Sequence, residues 1–378
     1  MVAILALSAV SRAATEFQQT FGGPGVDRGI LACPTPDGGY VAVGVTNSEG
    51  AGQEDVYLVK TDATGEKEWT RTYGGEGNDN GWTVLAVGDG YVVGGFTESW
   101  SVGENDFLLF KTDLGGEMEW FKTYGGEGND RCWSLIQPRE GGYLLAGETT
   151  SEGAGEQDCW LVRTDAKGNE IWTRSYGGSK GDRAFSVVEA EEGFVMAGQT
   201  FSQGEGDRDA YVAMVNGEGE LLWSRTFGGP ESDVAHCVTA TGEGHFLVTG
   251  YTTSFAEAGD DPYIHLVDAE GNALWTRILP LDGVNHTITG AEAAGGGFHL
   301  VGFSVFPGMA PTAALVIRTD EEGQVVWHRN IQASEVGESF GYSVSATDDG
   351  GCVFAGHASV GSPRNLDLLL VKMSGMEP

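Results

Sequence analysis

The sequence predicts an all-β, seven-bladed propeller with four antiparallel strands per blade, and three observations carry that expectation. Tryptophans recur at steps of 51 or 52 residues, as Trp69, Trp120, Trp172, Trp223, Trp275 and Trp327. Most are followed by an aromatic-Gly-Gly step, as in Tyr73-Gly74-Gly75, Tyr124-Gly125-Gly126, Tyr176-Gly177-Gly178 and Phe227-Gly228-Gly229, with Phe21-Gly22-Gly23 repeating it near the start. The chain begins on one strand and ends one strand short of a complete unit. Self-similarity at a period near fifty marks a solenoid, a propeller or an array, and the complementary ends select the closed ring.

Within one unit four strands can be read: 81–87 as strand A, 90–97 as B, 106–112 as C and 118–124 as D. Apolar residues fill both faces of B and C, as they do in a sheet covered on both sides. A propeller blade is such a sheet, packed between two neighbours. The A–B turns (Asp37-Gly38-Gly39, Asp89-Gly90, Asp349-Gly350-Gly351) and C–D turns (Asp62 to Gly65, Asp165 to Gly168, Asp320 to Gly323) carry hairpin chemistry, Asp to open the turn and Gly to take the positive φ. Glu16 to Phe21 matches strand D with Phe17 in the tryptophan's place, while Asp367 to Met373 is a strand C with no D after it. The first strand is therefore expected to complete the last blade. Twelve residues beyond each tryptophan strand A holds a small residue, suited to seven strands crowding one axis. The next residue is bulky, including Trp82, Trp133 and Phe185, and is expected to wedge between blades.

The unit W-x-x-x-[YF]-G-G-x-x-x-D, then D-G-G-Y, G-x-T-x-S and D-x-x-L-V-K-T-D, resembles the β-propeller repeats of secreted and cell-surface proteins of bacteria and archaea. The resemblance covers the chain after Ala14 and implies surface binding or scaffolding rather than a fixed chemistry. Unit six departs from it, with Ile278-Leu279-Pro280 in place of the aromatic-Gly-Gly step.

Composition narrows the functional classes. Asp and Glu outnumber Lys and Arg 55 to 21, a formal charge of -34 that repels nucleic acid and anionic lipid. Cys33, Cys132, Cys159, Cys237 and Cys352 fall in different units without C-x-x-C spacing and read as small buried hydrophobes. Residues 1–14 resemble a signal peptide that lacks a basic start, pointing to an extracellular or cell-surface location, and no apolar run is long enough to span a bilayer as a helix. Residues 15–378 then form one domain, expected to be a monomer.

Candidate sites follow from what repeats and what does not. One aspartate precedes strand A (Asp27, Asp79, Asp130, Asp182, Asp233) and another opens strand C (Asp55, Asp106, Asp158, Asp209, Asp261, Asp367). Unit six has Asn285 and Ala313 there. These carboxylates either cap loops through backbone N–H groups or form a repeated Ca²⁺ site using Asp27, Asp55, Asp130, Asp158, Asp260 and Asp261. Strands A and C of one blade lie about 9–10 Å apart, which favours capping. Arg28, Arg131, Arg183 and His286 follow the first aspartate position and are expected to ring the channel mouth, either as a basic funnel for a carboxylate or sulfate or paired with the adjacent aspartates. Trp100, Phe306 and Met309 break the repeat with apolar bulk on B–C loops, as recognition surfaces or loop packing. No H-E-x-x-H, nucleophile elbow or phosphate loop is present, and residues repeated in every blade are poor catalysts. The leading expectation is a non-enzymatic propeller that binds a protein, peptide or glycan on its longer-loop face, without a required cofactor. The alternatives are a carbohydrate hydrolase or lyase built on His286, Asp260 and Arg183 at the channel mouth, and a purely structural surface module.

Overall fold

The computed structural model describes residues 15–256, 259–281, 284–294, 296–305, 312–334, 337–361 and 365–375; the signal-like segment 1–14 lies outside them. Seven four-stranded antiparallel sheets form the seven blades. Blade one runs through Asp27–Pro34 (strand A), Tyr40–Thr46 (B), Asp55–Thr61 (C) and Lys67–Tyr73 (D). Blades two to six repeat this from Asp79, Asp130, Asp182, Asp233 and Val284. Blade seven comprises Ser339–Ala346, Cys352–Ser359, Leu366–Met373 and the first strand of the chain, Thr15–Phe21. That strand pairs antiparallel with Leu366–Met373, placing Phe17 opposite Lys372 and Phe21 opposite Leu368. Ring closure by the N-terminal strand is thus observed, and helix among the described residues is limited to the 3₁₀ turn Gly242–Gly244.

The core lies between blades. Strands B and C are buried along their whole length in blades one to four, as in Tyr91 to Thr97 and Asp106–Thr112. Val92, Phe107 and Leu109 of blade two pack with Cys132, Leu135, Leu145 and Trp160 of blade three. All five cysteines are free, and burial raises the thiol of Cys33 to about 11.

The strand-D signature is a latch onto the next blade. A Cβ on Gly116, in blade two's C–D turn, would lie 3.1 Å from the Trp69 ring, and one on Gly168 would lie 2.8 Å from Trp120. Only glycine admits the ring there, and its φ of +81° at Gly116 already excludes most side chains. Four residues after the tryptophan, Tyr73, Tyr124 and Tyr176 donate their hydroxyls to the same turns, at 2.6 Å from the carbonyl oxygens of Gly116, Gly168 and Gly219. Phe17 occupies the equivalent place on Gly65, whose Cβ would meet the Phe17 ring at 2.6 Å. Phe17 therefore closes the ring by the contact that Trp69, Trp120, Trp172, Trp223 and Trp275 make elsewhere.

Every strand A carries a β-bulge, at Ile30, Trp82, Trp133, Phe185, His236, Ile288 and Tyr342. A bulge re-aims the extra residue and bends the strand. The bulged side chains accordingly line the axis instead of wedging between blades, correcting the expectation for Trp82, Trp133 and Phe185. Trp82 and Trp133 meet edge to face at 4.5 Å, and Phe185 and His236 lie tilted at 5.3 Å. Beside each bulge a carbonyl turns toward strand B, and the glycine of each G-x-T triplet receives it: a Cβ on Gly44 would fall 1.7 Å from Arg28 O, and one on Gly250 would fall 1.7 Å from Val234 O. Just past the bulge, hydroxyls join adjacent blades. Ser134 Oγ accepts from Val187 N, Ser186 Oγ from Val238 N and Ser343 Oγ from Ala32 N, at 3.1–3.2 Å.

Candidate functional site

Two layers of side chains occupy the axis. The upper layer, toward the longer-loop face, alternates the second residue of each strand A with its cross-strand partner on B: Arg131 opposite Glu148, Arg183 opposite Gln199, His286 opposite Phe303 and Phe340 opposite His357. The strand-B residue follows the strand's glycine, in a G-x-T triplet in blades one to five, G-x-S in blade six and G-x-A in blade seven, and it reads Val45, Phe96, Glu148, Gln199, Tyr251, Phe303 and His357 around the ring. The flanking residues hold the backbone: glycine receives the bulged carbonyl, and hydroxyls such as Thr46 and Thr97 bond Asp27 and Asp79. The middle residue is free to differ in every blade.

The resulting belt is divided. On blades two to four it is polar. Arg131 stacks over Phe96 at 5.1 Å, and Arg183 Nε lies 2.9 Å from Glu148 Oε2 while donating to Gln157 Oε1 at 2.8 Å. Glu148 is buried, and desolvation lifts its carboxyl above the ordinary range against the pull of Arg183 and Arg131. Arg208 donates to Gln199 and to the Tyr251 hydroxyl, at 3.3 and 2.7 Å. On blades five to seven the belt is aromatic: Tyr251 contacts His286 at 4.4 Å, His286 stacks on Phe303 at 4.7 Å, Phe303 meets Phe340 at 5.0 Å and Phe340 meets His357 at 4.7 Å. His286 Nε2 also lies 3.0 Å from Asp260 Oδ2.

Below this belt the bulged residues form a collar. A cavity of about 430 Å³ extends from the collar toward the short-hairpin face, lined by Trp82, Trp133, Phe185, His236 and Tyr342 with the hydroxyl layer beyond them. The axial cavity thus lies on the side opposite the longer loops.

Burial drives the imidazole of His236 down to about 3, with the nearby His286 and Arg208 adding to the effect, and drives His357 down to about 4. Both stay neutral in the native state, whereas an unfolded histidine titrates near 6.5. Below that pH the unfolded chain takes up protons the folded chain refuses, so stability falls on acidification until the native pKa is reached. Each such histidine removes about 1.4 kcal/mol per pH unit over that window. Replacing His236 with Phe, the residue at this position in blade four, is expected to flatten the decline by one histidine's share. Urea midpoints at pH 7.5 and 5.5 check this, and an unchanged pH slope would count against a neutral His236.

The predicted site residues fare differently. Arg28, Arg131, Arg183 and His286 do stand in the belt, but the arginines do not pair with the adjacent aspartates. Arg28 approaches Glu54 at 3.5 Å, Arg183 takes Glu148, and among the described residues Arg131 has no ion-pair partner. The funnel is consequently less basic than three free arginines would make it, though Arg28 and Arg183 leave 39% and 40% of their side chains exposed. Arg183 and His286 are engaged separately, and Arg208 is the cation beside Tyr251 and His286. Trp100 lies away from the axis, packed on Phe121 of its own outer strand at 5.0 Å. Phe306 and Met309 lie outside the described residues. Glu148, Gln199, Arg208, Tyr251, Phe303 and His357 were missed; the variable residue after the repeated strand-B glycine was the signal for all but Arg208.

The aspartates pair across blades rather than within one. A Cβ on Gly177 would lie 2.2 Å from Asp158 Oδ1 of blade three and 2.7 Å from Asp182 Oδ2 of blade four. Asp367 with Asp27, Asp55 with Asp79, Asp106 with Asp130 and Asp209 with Asp233 meet in the same way at Gly22, Gly74, Gly125 and Gly228. Capping is present too: Asp182 accepts from Gly178 N and the Ser202 hydroxyl, and Asp158 from Ala154 N and Gly155 N. Burial first, and then the facing aspartate, push the carboxyls of Asp106 and Asp367 up. Asp260 turns instead to His286 and Thr253. No group of three or more His, Cys, Asp or Glu side chains converges as a metal cluster among the described residues.

Fold and mouth together define a seven-bladed propeller whose innermost strands build one axial site. Residues 157–363, more than half of the chain, match the family model described as outer membrane protein assembly factor BamB, and the chain belongs to that family. The regulatory protein FlaEY of Caulobacter vibrioides (strain ATCC 19089 / CIP 103742 / CB 15) is 25% identical over 166 residues, covering 37% of this chain and only 17% of FlaEY. Among solved structures, BBS1N in complex with ARL6DN aligns with a TM-score of 0.53 at 11% identity over 97% of this chain and 99% of its own. A protein of unknown function from Dyadobacter fermentans DSM 18053 aligns at 0.50 and 11% identity, over 96% and 99% of the two chains. These structural likenesses show the fold alone. No helix among the described residues is long and apolar enough to cross a membrane.

Proposed function

We propose that this propeller is a non-enzymatic, exported binding module that holds an extended acidic chain, an acidic peptide segment or a uronate-bearing glycan, across its axial mouth. The carrying observation is the divided belt. Arg131 and Arg183 act on one carboxylate, Glu148, and Arg208 bonds Gln199 and Tyr251 on one arc, while Tyr251, His286, Phe303 and Phe340 present rings on the other. Guanidinium groups take carboxylates through charge-assisted bonds, and aromatic faces take the apolar faces of sugars or side chains. A local excess of cations in a molecule of charge -34 also concentrates anionic groups at the axis. The family match is consistent with an exported, surface-associated role.

A peptide and glycan array with wild-type protein and the double variant Arg183→Ala/His286→Ala tests this. The variant is expected to lose at least about tenfold in affinity, or 1.4 kcal/mol. Undiminished binding would refute the mouth as the site. Turnover of a bound glycan would favour the hydrolase or lyase alternative, which the separate engagement of Arg183 and His286 speaks against.

A further inference from the structure

The five aspartate pairs present a charge problem that the protein does not solve by itself. Asp27, Asp55, Asp79, Asp106, Asp130, Asp158, Asp182, Asp209, Asp233 and Asp367 are each at least nine-tenths buried. Among the described residues none of them forms an ion pair with Lys, Arg or His. Their donors are neutral amides and hydroxyls, most of them on Oδ2, with the Thr46 and Thr97 hydroxyls on Oδ1 of Asp27 and Asp79. Oδ1 of Asp158 and of Asp182 is buried with no hydrogen-bond partner, and so is Oδ1 of Asp106 and of Asp130. Asp158 Oδ1 is aimed at the facing carboxylate across Gly177, as Asp106 Oδ1 is across Gly125.

The seven junctions of this one chain serve as their own comparison set. Five combine glycine with two aspartates. At the sixth, between blades five and six, the glycine position is the buried Leu279 and the strand-A acid is Asn285. At the seventh, between blades six and seven, Gln332, Ala313 and Ser339 stand at the three places. Glycine and the opposed pair of carboxylates occur together: the sixth junction, without glycine, keeps only the strand-C acid Asp261, and the seventh keeps neither acid. They behave as one unit whose purpose requires two opposed charges.

We propose that each of the five glycine-containing junctions binds one hard divalent cation of the calcium class between its two aspartates. The bare Oδ1 of the strand-C aspartate, facing Oδ2 of the strand-A aspartate, is oriented as a monodentate ligand, and carbonyl, hydroxyl or water oxygens complete a shell that calcium accepts in flexible geometry. With only two carboxylates per site, affinity belongs in the range of about 10⁻⁴–10⁻³ M seen for extracellular modules. The cations cross-link adjacent blades on the longer-loop face, independently of any ligand at the axial mouth.

The test is calcium binding to the full chain by equilibrium dialysis, with melting curves in calcium, in EGTA and in magnesium at matched ionic strength. Expected are up to five calcium ions per chain and a higher melting temperature in calcium than in either control. Asp158→Asn/Asp182→Asn is expected to lose one ion. If that variant does not fold, single Asp106→Asn and terbium luminescence titration of the wild type provide the same count. No saturable uptake at millimolar calcium would overturn the proposal, as would equal stabilisation by magnesium or by salt. Insensitivity to calcium together with a melting temperature in EGTA that rises as pH falls from 6 to 4.5 would mean that each pair shares a proton instead, and would also overturn it.

Discussion

A chain lacking Thr15–Phe21 is expected to fail as a soluble monomer. Those residues supply the whole fourth strand of blade seven, pairing from Thr15 opposite Met373 to Phe21 opposite Leu368. Without them Leu366–Met373, nearly all of it buried, becomes a bare sheet edge with unpaired N–H and C=O groups and an apolar face, the situation that drives edge-to-edge aggregation. The first strand also holds the contact that closes the ring. Phe17 packs on Gly65 and lies 5.6 Å from Tyr40 of blade one, and Phe21 adds to the core shared by blades seven and one. Phe17→Ala alone should cost about 2–3 kcal/mol, below the range for a fully buried aromatic because Phe17 is partly buried. Size-exclusion chromatography of the deletion and urea denaturation of Phe17→Ala check both halves. A monomeric deletion variant with wild-type melting would show that the ring does not depend on this strand.

Gly147→Ala is expected to be nearly as damaging. It adds one methyl group, but that carbon would stand 1.9 Å from Arg131 O and a ring carbon of Phe107 is 2.7 Å away. Backbone cannot retreat like a side-chain tip, so strand B must separate from the bulged strand A and lose ladder bonds. A cost of about 3 kcal/mol, at the upper end for overpacking, follows. Gly88→Ala is the control, because nothing lies within 4 Å of its added carbon. Denaturant midpoints that differ by less than about 0.5 kcal/mol between the two variants would show that the bulges do not require glycine.

The ring was legible because its determinants repeat. Trp69 to Trp327 and Phe17 mark the same strand-D position seven times over, so period, blade number and closure could all be read from spacing. Pairing between blades was harder to see. Asp55 and Asp79 are 24 residues apart and belong to different units, whereas the natural comparison is between Asp27 and Asp55 of the same unit, which lie on strands that do not touch. Bulges left little trace, since the glycine that accommodates each one sits on the neighbouring strand. For the mouth, strand-A residues such as Arg183 were found through their position after the aspartate. Their strand-B partners Glu148, Gln199 and Tyr251 were hidden inside a triplet whose constancy drew attention to glycine and threonine. Arg208 precedes a strand-C aspartate and carried no signal at all.

Hydrogen–deuterium exchange on the protein with and without a peptide or glycan captured by the array locates the binding face directly. Protection is predicted at the ends of strands B around Glu148, Gln199 and Tyr251 and in the segment containing Arg208, with none at the C–D turns around Gly116, Gly168 and Gly219. Protection confined to those turns or to the outer strands would contradict an axial binding site.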